Sequence, residues 1–108
     1  MTASQGFQLH PGAARDITEI WEFIGEDSVA SAARFREEIL ESLHKLTNFP
    51  NQGHTRPDLT SRPLRFQTVR EYLIAYAPDE KPLLVVGIIH GRRNPRVIAS
   101  ILRRRTRT

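Results

Sequence analysis

Seven arginines follow His90 in this chain, Arg92, Arg93, Arg96, Arg103, Arg104, Arg105 and Arg107, and no acid accompanies them. The guanidinium is planar, permanently charged and bonds carboxylates and phosphates bidentately, so the chemistry on offer is recognition of an anion. Residues 81–108 hold eight Lys/Arg and no acid, whereas residues 1–80 hold eight Lys/Arg against twelve Asp/Glu. Such asymmetry predicts an acidic partner, protein or nucleic acid, for the C-terminal end. Arg92, Arg93 and Arg96 stand directly behind an apolar stretch and are the candidate target-binding residues. Arg103–Thr108 reads as too charged to pack, a frayed basic tail. Direct nucleic-acid binding is not favoured, because no aromatic residues interleave with these arginines for base stacking and no reading helix is evident.

Reaction chemistry has fewer candidates. Cysteine is absent, which excludes a disulfide framework and thiolate catalysis and is compatible with a reducing compartment. His10, His44, His54 and His90 lie far apart without metal-ligand spacing, so neither a metal nor a cofactor is expected. The chain carries no serine nucleophile elbow, no zinc-protease helix and no Gly-rich phosphate loop. No apolar run approaches the ~20 residues needed to span a bilayer. Met1–Gln8 has neither the basic flank nor the apolar core of a secretory signal, and a cytoplasmic location is the expectation.

The element that must position these groups is Leu83–His90, an apolar run rich in β-branched residues and bracketed by Pro78–Pro82 and Gly91. Its length and composition predict a strand apolar on both faces, hence a central strand covered on both sides. Strict alternation would place Leu83, Val85, Gly87 and Ile89 on one face and Leu84, Val86, Ile88 and His90 on the other. Upstream, Phe7–Leu9 suggests a short strand. Pro11 then opens a helix ending near Gly25–Asp27, with Ala13, Ile17, Ile20, Trp21 and Ile24 as its apolar stripe. Asp27-Ser28 supplies caps for a second helix through about Phe49, with stripe Ala32, Phe35, Ile39, Leu43 and Leu46 and with Leu40 on its flank. A loop from Pro50 to Pro63 leads to strands Leu64–Val69 and Tyr72–Ala77. Tyr72, Ile74 and Tyr76 share a face, a pattern that suits the core. Asn94 and Pro95 start a short helix to about Leu102. The sum is one α+β domain of β-α-α-β-β-β order, a helical hairpin packed on a mainly antiparallel sheet, closed by a C-terminal helix.

The order and spacing of several short signatures resemble the ParE branch of the RelE/ParE toxin superfamily over about residues 7–102. They are Pro11, Ile17-x-x-Ile20-Trp21-x-x-Ile24, Ala32-Ala33-x-Phe35 and Phe49-Pro50-x-x-Gly53. Downstream follow Pro63-Leu64-Arg65, Tyr72-x-Ile74-x-Tyr76 and Ile88-Ile89-His90-Gly91-Arg92-Arg93. His10 stands where the family usually has a small hydroxyl cap, and Asn94 where an Asp commonly follows the arginine. The resemblance implies the toxin of a type II toxin–antitoxin (plasmid stabilization) pair, neutralised by a ParD-like antitoxin whose C-terminal segment folds on the toxin surface. It implies DNA gyrase as the target in the ParE branch and ribosome-dependent mRNA cleavage in the RelE branch.

The nuclease alternative needs a base for the 2′-OH, a cation for the phosphate and an acid for the leaving oxygen. Its candidates are Arg65, Glu71, Tyr76, His90 and Arg92. His90 is equally a strand-end residue fixing the turn at Gly91, and strands 64–77 carry few basic residues, so a non-enzymatic inhibitor is the preferred expectation. Trp21, Phe23 and Leu40 are the candidate antitoxin-binding residues, an apolar surplus that a helix-in-groove contact or a homodimer would cover. An inactive family member acting as a binding module is the remaining alternative.

Overall fold

The computed structural model describes residues 6–105. In chain order these form β1 (Phe7–Leu9), α1 (Pro11–Asp27), α2 (Val29–Asn48), β2 (Arg65–Val69), β3 (Tyr72–Ala77), β4 (Leu83–His90) and α3 (Pro95–Arg104). This is the α+β element order that the sequence predicts. The strands form one mixed sheet in the order β1-β4-β3-β2, parallel between β1 and β4 and antiparallel elsewhere. No helix among the described residues is long and apolar enough to cross a membrane.

Local chemistry sets the helix boundaries. His10 Nδ1 accepts the Gly12 N–H at 2.9 Å and replaces the expected hydroxyl cap, with Pro11 at the first helical position. Ser28 serves both hairpin helices. Its N–H donates to the Ile24 carbonyl at 3.0 Å and ends α1, while its Oγ accepts from the Ser31 N–H at 3.1 Å and opens α2. Asn94 opens α3 likewise, its Oδ1 accepting the Arg96 N–H at 2.8 Å ahead of Pro95.

The sheet separates two apolar layers, and β4 contributes to both. On one side Leu83, Val85 and Ile88 pack with Ile74 and Tyr76 against the α2 stripe of Phe35, Ile39, Leu43 and Leu46. On the other, Leu84, Val86 and Ile89 pack with Ala75 and Ala77 against Ile98 and Leu102 of α3 and Leu59 of the long loop. Burying an aliphatic side chain contributes roughly 1.5–3 kcal/mol, so these layers dominate the stability of the fold.

The strict alternation expected along β4 does not hold. Ala75 pairs with Gly87 while Tyr76 pairs with Val85, which leaves Val86 as the extra residue of a β-bulge. Beyond the bulge the faces exchange, so Ile88 joins Leu83 and Val85 under the helical hairpin. His90 follows Ile88, its ring lying edge-on to Tyr72 at 5.2 Å.

The expected frayed tail is also corrected over its described part. Strand β1 covers β4 only along Leu83–Val85, and the bulge then leaves the Val86 carbonyl and the Ile88 N–H without a strand partner on that edge. Arg105 Nη1 donates to the Val86 carbonyl at 3.2 Å, and Asp16 Oδ2 accepts the Ile88 N–H at 3.0 Å. Backbone polar groups removed from water need such partners, and supplying them holds Arg105 against the sheet. Helix α3 accordingly continues through Arg104. Residues 106–108, with Arg107 and the end of the expected tail, lie outside the described residues.

Candidate functional site

The candidate antitoxin residues fall into two places. Residues 21 and 23 are about 200° apart around a helix, so their side chains diverge. Trp21, 42% exposed, lines a groove between α1 and α2 with Ile17, Thr18, Ala33, Arg36 and Glu37. Phe23, 68% exposed, points instead into a cleft of about 760 Å³ between α1, β4 and α3, whose wall includes Ile20, Tyr72, Ile88, Ile101 and Arg93. Leu40 is half-buried. By helical spacing it lies one turn beyond Arg36 and Glu37 on the same side of α2, next to the Trp21 groove but not among its lining residues.

The residues of the nuclease alternative separate as well. Arg65 pairs with Tyr76 at one end of β3, and Tyr72 pairs with His90 at the other. Four residues of strand separate the two ends by roughly 13 Å. Tyr76 is fully buried and bridges the long loop, donating to the Pro50 carbonyl at 2.7 Å and accepting the Gly53 N–H at 2.9 Å. Burial raises the pKa of its phenol, a shift opposed by the Gly53 hydrogen bond and the nearby Arg65 charge. Arg65 Nη1 donates to the Gly53 carbonyl at 2.6 Å. Both side chains therefore hold the loop that follows α2. A Cβ on Gly53 would come within 2.7 Å of the Tyr76 hydroxyl, which accounts for glycine there.

At the other end, His90 organises the turn. Its Nδ1 accepts the Arg92 N–H at 3.1 Å, and its Nε2 lies 3.5 Å from Glu71 Oε1. The Gly91 N–H donates to the Glu71 carbonyl at 2.8 Å, joining this turn to the β2–β3 hairpin. The carboxyl-bearing side chain of Glu71 is 71% exposed. Among the described residues no group of three His, Cys, Asp or Glu side chains converges as a metal site.

The turn delivers Arg92, Arg93 and Arg96 to the surface, and all three are exposed. Helix α3, which carries Arg96, is fixed by more than its apolar face. Arg62 Nη1 donates to the Leu102 and Arg105 carbonyls at 2.7 and 2.8 Å, placing a cation at the helix C-terminus where the macrodipole favours it. Arg105 clamps Asp16 of α1 with both terminal nitrogens, at 2.6 and 3.0 Å. Sequence reasoning missed Asp16, Arg62 and Arg105. The available signal was glycine in regular structure: a Cβ on Gly87 would stand 2.6 Å from Arg105 Nη1, and one on Gly12 would collide with Arg105 Nε.

Taken together, these elements define a small α+β protein with apolar side chains exposed along its helical hairpin and arginines presented beyond its central strand. Residues 7–95 match the family model described as the ParE toxin of the type II toxin–antitoxin system, parDE. The chain belongs to this ParE toxin family. A comparison with curated proteins returns no match.

Proposed function

We propose that this protein is a toxin that acts by binding its target enzyme, DNA gyrase, in the cytoplasm, and that a cognate ParD-like antitoxin holds it inactive. Family membership supports the toxin role. The observation that carries the non-enzymatic reading is the separation of Arg65 and Tyr76 from Glu71, His90 and Arg92 along β3. A general base must reach the proton it removes within about 2.6–3.2 Å or through one water. The five candidates thus form no single cluster, and Arg65 and Tyr76 are committed to the loop after α2.

In this reading Arg92 and Arg93, on the turn after β4, and Arg96, in the first turn of α3, form the target-binding surface. Trp21, with Leu40, and Phe23 are the anchors for the antitoxin, which wraps the hairpin from the α1–α2 groove to the α1–β4–α3 cleft. Large apolar side chains are the residue types that dominate such contacts.

The test is a supercoiling assay with purified gyrase beside a translation reaction in which mRNA integrity is followed. Gyrase inhibition with intact mRNA supports the proposal. Ribosome-dependent cleavage lost on His90→Ala or Arg65→Ala would replace it with the endoribonuclease reading.

A further inference from the structure

We propose that the outward face of α3 binds the phosphate backbone of duplex nucleic acid directly. Arg96, Ser100 and Arg103 follow one another at four and three residues, so they form a single row along α3. The row lies opposite Ile98 and Leu102, which are buried in the sheet layer. Arg92 and Arg93 continue it beyond the helix start, and Arg104 flanks it, its guanidinium bonded to Ser100.

Two features select this occupant. The first is how charge is distributed. Arg56, Arg70 and Arg105 are each committed to a carboxylate, of Asp58, Glu38 and Asp16 respectively. Arg92, Arg93, Arg96 and Arg103 have no acidic partner among the described residues, and no acid occurs in residues 81–108 to supply one locally. The second is how little apolar surface lies within the row: Ser100 interrupts it, and Ala99 and the 40% exposed Val97 stand at its borders. Protein interfaces gain most of their energy from desolvated apolar anchors. A polyanion needs none, because neutralised phosphates release counterions whatever the base sequence. The missing aromatic residues and reading helix, which argue against sequence recognition, are what backbone contact permits.

The geometry is suited to a duplex. Ten helical residues span about 15 Å, and B-DNA offers a charge about every 1.7 Å of its axis, so several phosphates come within reach of one row. The face is also preorganised, since Arg62 and the Asp16–Arg105 pair fix α3 before any ligand arrives. This goes beyond the target-enzyme reading and shares Arg92, Arg93 and Arg96 with it; the titration below contains no gyrase, so a failure here leaves that reading to be judged by the supercoiling assay.

The experiment is fluorescence anisotropy of a labelled DNA duplex of arbitrary sequence, titrated with the full chain between about 50 and 200 mM salt. Log affinity should fall linearly with log salt, with a slope of about −3 to −5 if four or five arginines engage. Arg96→Gln combined with Arg103→Gln should make the slope shallower by about 2 and weaken binding about tenfold or more at the lowest salt. Arg96→Lys combined with Arg103→Lys should keep the slope, because point charge is what phosphate contact requires. Absence of binding at the lowest salt would overturn the proposal, as would an unchanged slope in the Gln variant. Tighter binding to a polyglutamate chain than to the duplex would also overturn it and assign the row to an acidic protein.

Discussion

Arg105 and Asp16 stand 89 residues apart in the chain and form a two-pronged ion pair at 2.6 and 3.0 Å over the bulge of β4. The pair joins three elements that carry different duties. Asp16 belongs to α1, whose exposed face holds Trp21 and Phe23. Arg105 follows α3, which presents Arg96. Between them the Val86 carbonyl accepts from Arg105 and the Ile88 N–H donates to Asp16, bonds that β1 is too short to supply.

Breaking this pair should cost stability. The two side chains are only 15 and 16% exposed, and leaving one partner of a poorly solvated pair costs about 3 kcal/mol. Asp16→Ala should therefore lower the urea midpoint with little change in the slope of the transition. Asp16→Asn, which keeps an acceptor for the Ile88 N–H, should lose less. Equal losses in both variants would mean that the charge, rather than the capped backbone, is what matters.

Tyr76 gives a second stability test, with a pH signature. Tyr76→Phe leaves the Gly53 N–H inside the protein without its acceptor, a loss of about 1–3 kcal/mol. Burial raises the phenol pKa in the folded state, so the folded form keeps its proton when the unfolded chain has lost it. Stability from this group is complete below the unfolded value of about 10 and declines as pH rises above it toward the folded value. Tyr72 is shifted in the same direction, by burial first and by Glu71 second. The Phe variant should thus show a shallower alkaline decline than the parent in denaturation midpoints, not a flat one.

Much of this fold is legible in the residues, for identifiable reasons. The stripe Ala32, Phe35, Ile39, Leu43 and Leu46 is wholly buried, because helical periodicity depends only on neighbours within the same element. The strand at Leu83–His90 and the caps Ser28 and Asn94 are local in the same sense. The bulge at Val86 is not, since alternation presumes a continuous ladder and the shift arises from the partner strand. The commitment of Arg105 to Asp16 is invisible to composition, which treats each arginine as solvated. The candidate site suffered most from this: Trp21 and Phe23 are close in sequence yet line different cavities, and five proposed catalytic groups belong to two ends of one strand.

That divergence of Trp21 and Phe23 gives a third prediction. Phe23 is 68% exposed, so Phe23→Asp should leave the denaturation midpoint nearly unchanged, while Trp21→Asp, which gives up the packed half of the indole, should lower it modestly without unfolding the protein. If one antitoxin segment covers both cavities, each substitution should weaken antitoxin binding at least about thirtyfold, the loss expected of a hot spot. Calorimetry with the cognate antitoxin measures this. A loss confined to Trp21→Asp would restrict the contact to the α1–α2 groove and leave the Phe23 cleft to another partner.

The last prediction separates the arginines that bind from the one that builds. Arg92, Arg93 and Arg96 are exposed, and replacing all three by Glu should abolish growth inhibition while circular dichroism remains that of the parent. Arg92 and Arg96 reversed without Arg93, which lines the Phe23 cleft, should in addition keep antitoxin capture. Truncation after Leu102 differs in kind. It removes Arg105 and with it the partner of Asp16, the donor to the Val86 carbonyl and a carbonyl that Arg62 holds. That truncation should lower thermal stability, and any loss of growth inhibition should follow the loss of folded protein. Truncation after Arg105 keeps these bonds and should restore the melting temperature. The comparison is decisive because charge and architecture are removed in different variants. Full growth inhibition by the triple Glu variant would exclude those arginines from the target surface. A stable, folded Leu102 truncation would show that Ile98, Leu102 and the Arg62 bond to the Leu102 carbonyl suffice to hold α3.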